Sequence, residues 1–209
     1  MQEVVVTAFG IYGNVGKGFV AARGNFMNEK VILNAENIRQ LDWGAINGCE
    51  AASLLEGLHY QHHARQLNYG EFLLQMPISS DANPYHGFGG SPFKNQPGNF
   101  EAIFTRPLVW WGSSYGHLTE LSGADPDWLY CSVRQGDPVL VFVTIHFEAP
   151  EWDEYPFGRV PANNHAVLLD GVDTHQVHVS DPIDGQYWLS KATFEQIYNA
   201  RRMAIQINK

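Results

Sequence analysis

Cys49, His165 and Asp181 are the residues of this sequence whose types and order suit chemistry at a carbonyl carbon. A thiolate attacks, an imidazole moves the proton, and a carboxylate holds the imidazole in its working tautomer. Cys49 opens a stretch in which Ala51, Leu54, Leu55 and Leu58 recur at i, i+3, i+4 and i+7, the apolar stripe of an amphipathic helix. Asn47 followed by Glu50 has capping-box spacing, so the helix is expected to begin at Asn47 and run to about Leu67, ahead of Asn68 and Gly70. A thiol at the second helical position lies among unpaired backbone N–H groups at the positive end of the helix dipole, which lowers its pKa and favours the thiolate. Gly48 leaves room there for a substrate backbone. By position alone, Cys49 is also readable as a small buried residue that opens a helix.

His165 stands out among nine histidines because of Asp181. A hairpin folded about Val172–Thr174 puts position 165 opposite 180 or 181, and directly opposed Cβ atoms in an antiparallel pair lie about 4.5–5.5 Å apart. Asp181 would then accept a hydrogen bond from the His165 ring, fix its tautomer and stabilise the imidazolium. Asp181-Pro182, with Gly185 beyond, ends the strand and predicts a carboxylate at a sheet edge beside a cleft. A plain His–Asp surface pair is the competing reading.

Short β-type runs at Val4–Phe9 and Lys30–Leu33 precede the cysteine, separated by glycines that read as turns and bulges. Gly13–Gly18 contains Lys17 but lacks the spacing and the following Ser/Thr of a phosphate loop. Phe72–Met76 is a short helical piece. Residues 78–100, rich in proline and glycine, form the longest irregular stretch and are expected to cross between lobes or face substrate. Asp125-Pro126 starts a helix that carries Trp128 and Cys131 and ends near Gly136. Strands are expected at Val139–Phe147, His165–Asp170, Gln176–Ser180 and Gln186–Leu189, then a helix over Ala192–Ala200 and a closing strand at Met203–Asn208. Helices in the middle and strands toward the end predict an α+β fold.

With 209 residues, 44% of them hydrophobic, the chain can bury a core without metal or disulfides. Its net charge of −9 disfavours nucleic-acid or anionic-membrane partners and hints at basic or neutral substrates. Nothing in it is long and apolar enough to span a bilayer. Two cysteines 82 positions apart do not make a disulfide framework, and Cys131 reads as a buried, inert thiol. Met1-Gln2-Glu3 followed by Val4-Val5-Val6 lacks the basic start and apolar length of a signal peptide. His59 and His63 share a helix face with no third ligand spaced to complete a metal site, so His59, His62 and His63 read as a solvated face, and no metal or cofactor is expected. His175 and His178 point to opposite faces of one strand. His146 is expected within a strand, paired to a neighbour. Trp110-Trp111 and Trp152 with Tyr155 are expected mostly as core or rim packing.

Asn47-Gly48-Cys49-Glu50, the strand Asn164-His165-Ala166-Val167-Leu168-Leu169 and Asp181-Pro182, in that order, resemble the C39-like (papain-like) cysteine peptidase family of Gram-positive bacteria. The resemblance runs from about Asn34 to the C-terminus and includes Gly87–Gly90. It implies a papain-like fold, a helical lobe led by Cys49 packed against an antiparallel sheet carrying His165 and Asp181, with residues 1–33 as a β-rich extension packed on a catalytic domain of residues 34–209. It also implies that Gln40, nine residues ahead of Cys49, is an oxyanion donor beside the Cys49 backbone N–H. The papain signature Cys-Gly-Ser/Ala-Cys-Trp is absent, so papain's substrate preferences are not carried over. The implied activity is hydrolysis of a peptide or other amide bond through an acyl-enzyme. Acyl transfer to an amine by the same triad, a non-catalytic module gripping peptide or glycan through its aromatics, and a processing or leader-recognition domain remain alternatives. The resemblance implies an extracellular or cell-envelope location, and the lack of a signal peptide leaves the cytoplasm open.

Overall fold

The computed structural model describes residues 30–209. The predicted strand Val4–Phe9 and the Gly13–Gly18 turn lie outside the described residues. A seven-stranded sheet has the order β2 (His117–Glu120), β9 (Ala204–Asn208), β3 (Val139–Thr144), β6 (Asn164–Val172), β7 (Gln176–Asp181), β8 (Gly185–Ser190), with β1 (Val31–Ile32) also pairing to β6. Every pair in it is antiparallel. A separate hairpin joins β4 (Trp152–Tyr155) to β5 (Gly158–Pro161).

The sheet separates two apolar layers. On one side pack Leu54, Leu55 and Leu58 of helix α1 (Cys49–Tyr60) with Leu140, Phe142, Ala166, Leu168, Ile205 and Ile207. On the other, Leu129, Tyr130 and Val133 of α4 (Pro126–Arg134) and Phe194 and Tyr198 of α5 (Lys191–Tyr198) meet Val139, Val141, Val167, Leu169 and Val179. Neighbouring residues of β3 and β6 therefore point into different layers, and both faces are dry. That is why these antiparallel strands read as unbroken apolar runs. Each fully buried leucine or valine contributes roughly 1.5–3 kcal/mol relative to exposure. Two shorter helices, α2 (Tyr69–Leu73) and α3 (Thr105–Gly112), complete the α1 side. The α+β class follows from this arrangement.

Helix α1 lies close on the sheet because Gly57 faces it, where a Cβ would overlap the Ile207 side chain. The helix ends at Tyr60, seven residues before the predicted Leu67. The buried Gln61 carboxamide binds the carbonyls of Gly136 and Ile207 at 3.0 Å each, and His62 and Ala64 are left-handed, so tertiary anchoring turns the chain away. Asn68, read as a breaker, caps α2 in a full capping box with Glu71. Asp125 precedes α4 as expected, but its carboxylate pairs with Arg202 at 2.8 Å and makes no cap bond. The Val139–Phe147 strand stops at Thr144: His146 and Phe147 are left-handed, and His146 binds Asp184 at 2.6 Å across the sheet edge. Strand β2 and the β4–β5 hairpin were not legible in the sequence pattern.

The irregular stretch 78–100 is stitched by backbone bonds: Ser79 N to Phe88 O, Phe88 N to Pro77 O, and Gly89 N to Ala102 O, at 2.9, 2.7 and 2.9 Å. Phe88 is fully buried beneath it. Among the described residues no helix is long and apolar enough to cross a membrane.

Candidate active site

Cys49 is the first residue of α1, behind Gly48, and no side chain caps the helix. The expected Asn47–Glu50 capping box does not form. Asn47 Nδ2 instead donates to Ser91 O at 3.3 Å and to Asn95 Oδ1 at 2.9 Å, tying the long irregular segment to the helix start. Gly48 does not leave a gap for substrate: a Cβ there would overlap the Tyr69 hydroxyl, which donates to the Gly48 carbonyl at 2.9 Å.

His165 stands on β6 opposite Val143 of β3. Its Nε2 lies 2.8 Å from Asp181 Oδ1, and both side chains are buried. The expected register was wrong even though the contact forms. Leu168 faces Ser180, with a bulge between Leu169 and Gly171, so His165 is not directly opposite position 180 or 181. Asp181 reaches it from the last residue of β7, where the chain turns. Its Oδ1 also accepts from the backbone N–H of Ile183 and Asp184, and Tyr187 donates to Oδ2 at 3.1 Å. Burial pushes this carboxyl up, but the His165 bond and charge and the two N–H donors outweigh it and hold Asp181 below the ordinary carboxylate range.

Cys49 and His165 line one cavity of about 270 Å³. Gln40 borders it too, from a single 3-10 turn whose Gln40 N–H bonds to Pro182 O beside Asp181. Gln40 Nε2 donates to Ile46 O at 3.0 Å and keeps a second hydrogen, while its buried Oε1 has no partner. Sequence reading did not single out Asn99, Glu101 or Asn164 on the same wall. For Asn164 the available signal was its place next to His165; for Asn99 it was the unusual length of the 78–100 stretch, and for Glu101 its place directly after that stretch.

The electrostatics of Cys49 overturn the expected depressed thiol. Burial pushes its pKa up, and the Glu50 charge and the Sγ–Glu50 Oε2 hydrogen bond at 3.3 Å push it further, against a smaller lowering by the Ala166 backbone. The helix start favours an anion, but dehydration and an adjacent carboxylate cost more. Glu50 is itself buried, which raises its pKa, and it accepts from Asn164 Nδ2 at 3.3 Å. Asn164 is held in turn by Arg201. Replacing Glu50 with Gln, which keeps the shape and removes the charge, is expected to move the pH midpoint of Cys49 alkylation by iodoacetamide downward; an unmoved midpoint would show that Glu50 does not restrain the thiol.

The other candidates stand apart from this cavity. His59 pairs with Glu36, His62 with Arg65, and His63 meets His117 edge-on. No group of three or more metal-ligating side chains gathers among the described residues. His178 binds Asp170 at 2.6 Å, whereas His175 sits in the hairpin turn. Cys131 is partly exposed, not buried. Trp111 is buried and stacked on Phe72, Trp110 is exposed, and Trp152 lies beneath Arg159. Tyr155 alone of these aromatics reaches the cavity.

A family model described as "Peptidase_C39 like family" matches residues 32–205. Among solved structures, a protein described as a C39-like peptidase from Bacillus anthracis is 26% identical with a TM-score of 0.75, covering 87% of this chain and 98% of that one. A double-glycine-motif protease from an AMS/PCAT transporter, in complex with the leader peptide, is 14% identical with a TM-score of 0.48, covering 87% and 100%. No curated protein matches.

Proposed function

We propose, from the premise that the chain belongs to the peptidase C39-like family, that it is a cysteine peptidase cleaving an amide bond through an acyl-enzyme on Cys49. The observation that carries this reading is the single cavity onto which α1 delivers Cys49 and β6 delivers His165, with Asp181 behind the ring. Asp181 holds Nε2, so Nδ1 is the ring nitrogen left to move a proton. Because burial and Glu50 favour the neutral thiol, the proton leaves Sγ for His165 as Sγ bonds the substrate carbonyl carbon. The Cys49 backbone N–H and the second hydrogen of Gln40 Nε2 meet the developing oxyanion, each such donor being worth roughly 3–4 kcal/mol of barrier. His165 then protonates the leaving amine, the C–N bond breaks and a thioester remains. Water, deprotonated by the same ring, attacks the thioester, releases the acid and restores the thiol.

The test is cleavage of an internally quenched peptide library before and after stoichiometric alkylation, with the modified residue located by mass spectrometry. Label on Cys49 should abolish cleavage, and label confined to Cys131 should not. Cleavage that persists with Cys49 fully blocked removes this reading. Products joined to an added amine, in place of free acids, would move the activity to acyl transfer on the same triad.

A further inference from the structure

The cavity wall is unbalanced in charge. Glu101 is the one carboxylic side chain among its lining residues, and no lysine or arginine lines it among the described residues. Glu101 is anchored: its Oε1 accepts the Gln96 backbone N–H at 2.6 Å, and among the described residues it forms no ion pair and its Oε2 accepts no hydrogen bond. The neighbouring carboxamides supply further acceptors. Asn47 donates both to Ser91 O and to Asn95, Asn99 donates to Gln96 Oε1, and Asn164 donates to Glu50, whereas Asn47 Oδ1 and Asn99 Oδ1 keep free lone pairs. The donors left on this wall, the second Gln40 Nε2 hydrogen and the Asn95 amide, are uncharged, so the charge bias rests on Glu101. A half-buried wall with an uncompensated carboxylate selects a partner that brings donors and positive charge.

Resting on the peptidase reading above, we propose that this cavity selects substrates carrying a primary ammonium or guanidinium group within a residue or two of the scissile amide, and that Glu101 is the specificity-determining residue that reads it. The net charge of −9 adds long-range attraction for the same class of substrate.

Two measurements in a Cys131→Ser background test this separately from turnover. The first compares alkylthiolation of Cys49 by methanethiosulfonates bearing a cationic, an anionic or a neutral group; each transfers its thioalkyl group to the sulfur and releases methanesulfinate. Normalising to the neutral reagent cancels changes in thiolate fraction. The cation-to-anion rate ratio is expected to exceed that of a small free thiol by about tenfold, to drop severalfold in Glu101→Gln, and to drop further in Glu101→Lys. The second compares kcat/KM for peptides that carry Lys or Arg against isosteric norleucine and Glu peptides. A preference for the basic set of about tenfold is expected, lost through KM in Glu101→Gln and reversed in Glu101→Lys. A reagent ratio that Glu101→Gln leaves unchanged overturns the proposal, as does indifference of turnover to peptide charge. The reagents need only a reactive thiol, so the expected ratio together with no cleavage of any peptide would remove the peptidase reading while supporting the assignment of charge reading to Glu101.

Discussion

Replacing His165 with Ala is expected to lower peptide turnover by about 10⁴-fold or more, near 5.5 kcal/mol of transition-state stabilisation. The size follows from the state of the nucleophile. A thiol ionised by its surroundings would attack without help, but burial and Glu50 push the Cys49 thiol above its ordinary range. The proton must therefore have an acceptor at the moment of attack, and the same acceptor must return it to the leaving amine, so one substitution disables two steps. The fold should survive, because Asp181 keeps the Ile183 and Asp184 N–H groups and the Tyr187 hydroxyl after the ring is gone. Steady-state turnover together with a thermal melt checks this. A melt close to that of the parent with turnover reduced less than tenfold would take His165 out of the mechanism.

Asp181→Asn should reduce turnover by about 10²- to 10⁴-fold, with the size set by how much of the effect is charge. The side chain is nearly isosteric. An Asn Oδ1 can still take His165 Nε2–H and the two backbone donors, and Nδ2 can face the Tyr187 oxygen, so geometry is preserved and the anion alone is removed. What is lost is stabilisation of the imidazolium as the thiol proton arrives. The same substitution has a signature in stability. Burial raises the Asp181 carboxyl, but His165 and the backbone donors pull it below its unfolded value of roughly 3.9. Its folded pKa is depressed, so the stability it contributes is complete above that unfolded value and is lost as pH falls through the folded one. Urea titrations between neutral and strongly acid pH should therefore show a shallower acid loss in Asp181→Asn than in the parent. Equal acid slopes and unchanged turnover would together reduce the His165–Asp181 contact to a structural pair.

The elements around the site were readable from local pattern. The stripe Ala51–Leu58 marks α1, and the apolar runs Val139–Phe147, His165–Asp170 and Gln176–Ser180 mark, with shifted ends, the strands that carry the site. Such periodicity records which side chains leave water, and that is largely settled by near neighbours in sequence. The order Cys49, His165, Asp181 also selected residues that the fold brings to one place. Local pattern failed where distant partners compete for a side chain. Asn47-x-x-Glu50 and Asn68-x-x-Glu71 have the same spacing, yet only the second forms a capping box. At the first, Asn95 takes the amide and the Cys49 thiol and Asn164 take the carboxyl.

By itself, then, the amino-acid sequence determined the α+β elements, the helix start that presents a sulfur, and a histidine and an aspartate on strands able to meet. Tertiary structure decided the upward push on that sulfur's pKa, the register through which Asp181 reaches His165, and the place of the Glu101 carboxylate on the cavity wall. The physical reason is shared by all three. Desolvation, the bulge between Leu169 and Gly171, and the charge of a cavity each depend on groups that are not sequence neighbours and meet only once the chain has folded, from Gly171 and His178 across the bulge to Glu50 and Asn164, 114 residues apart.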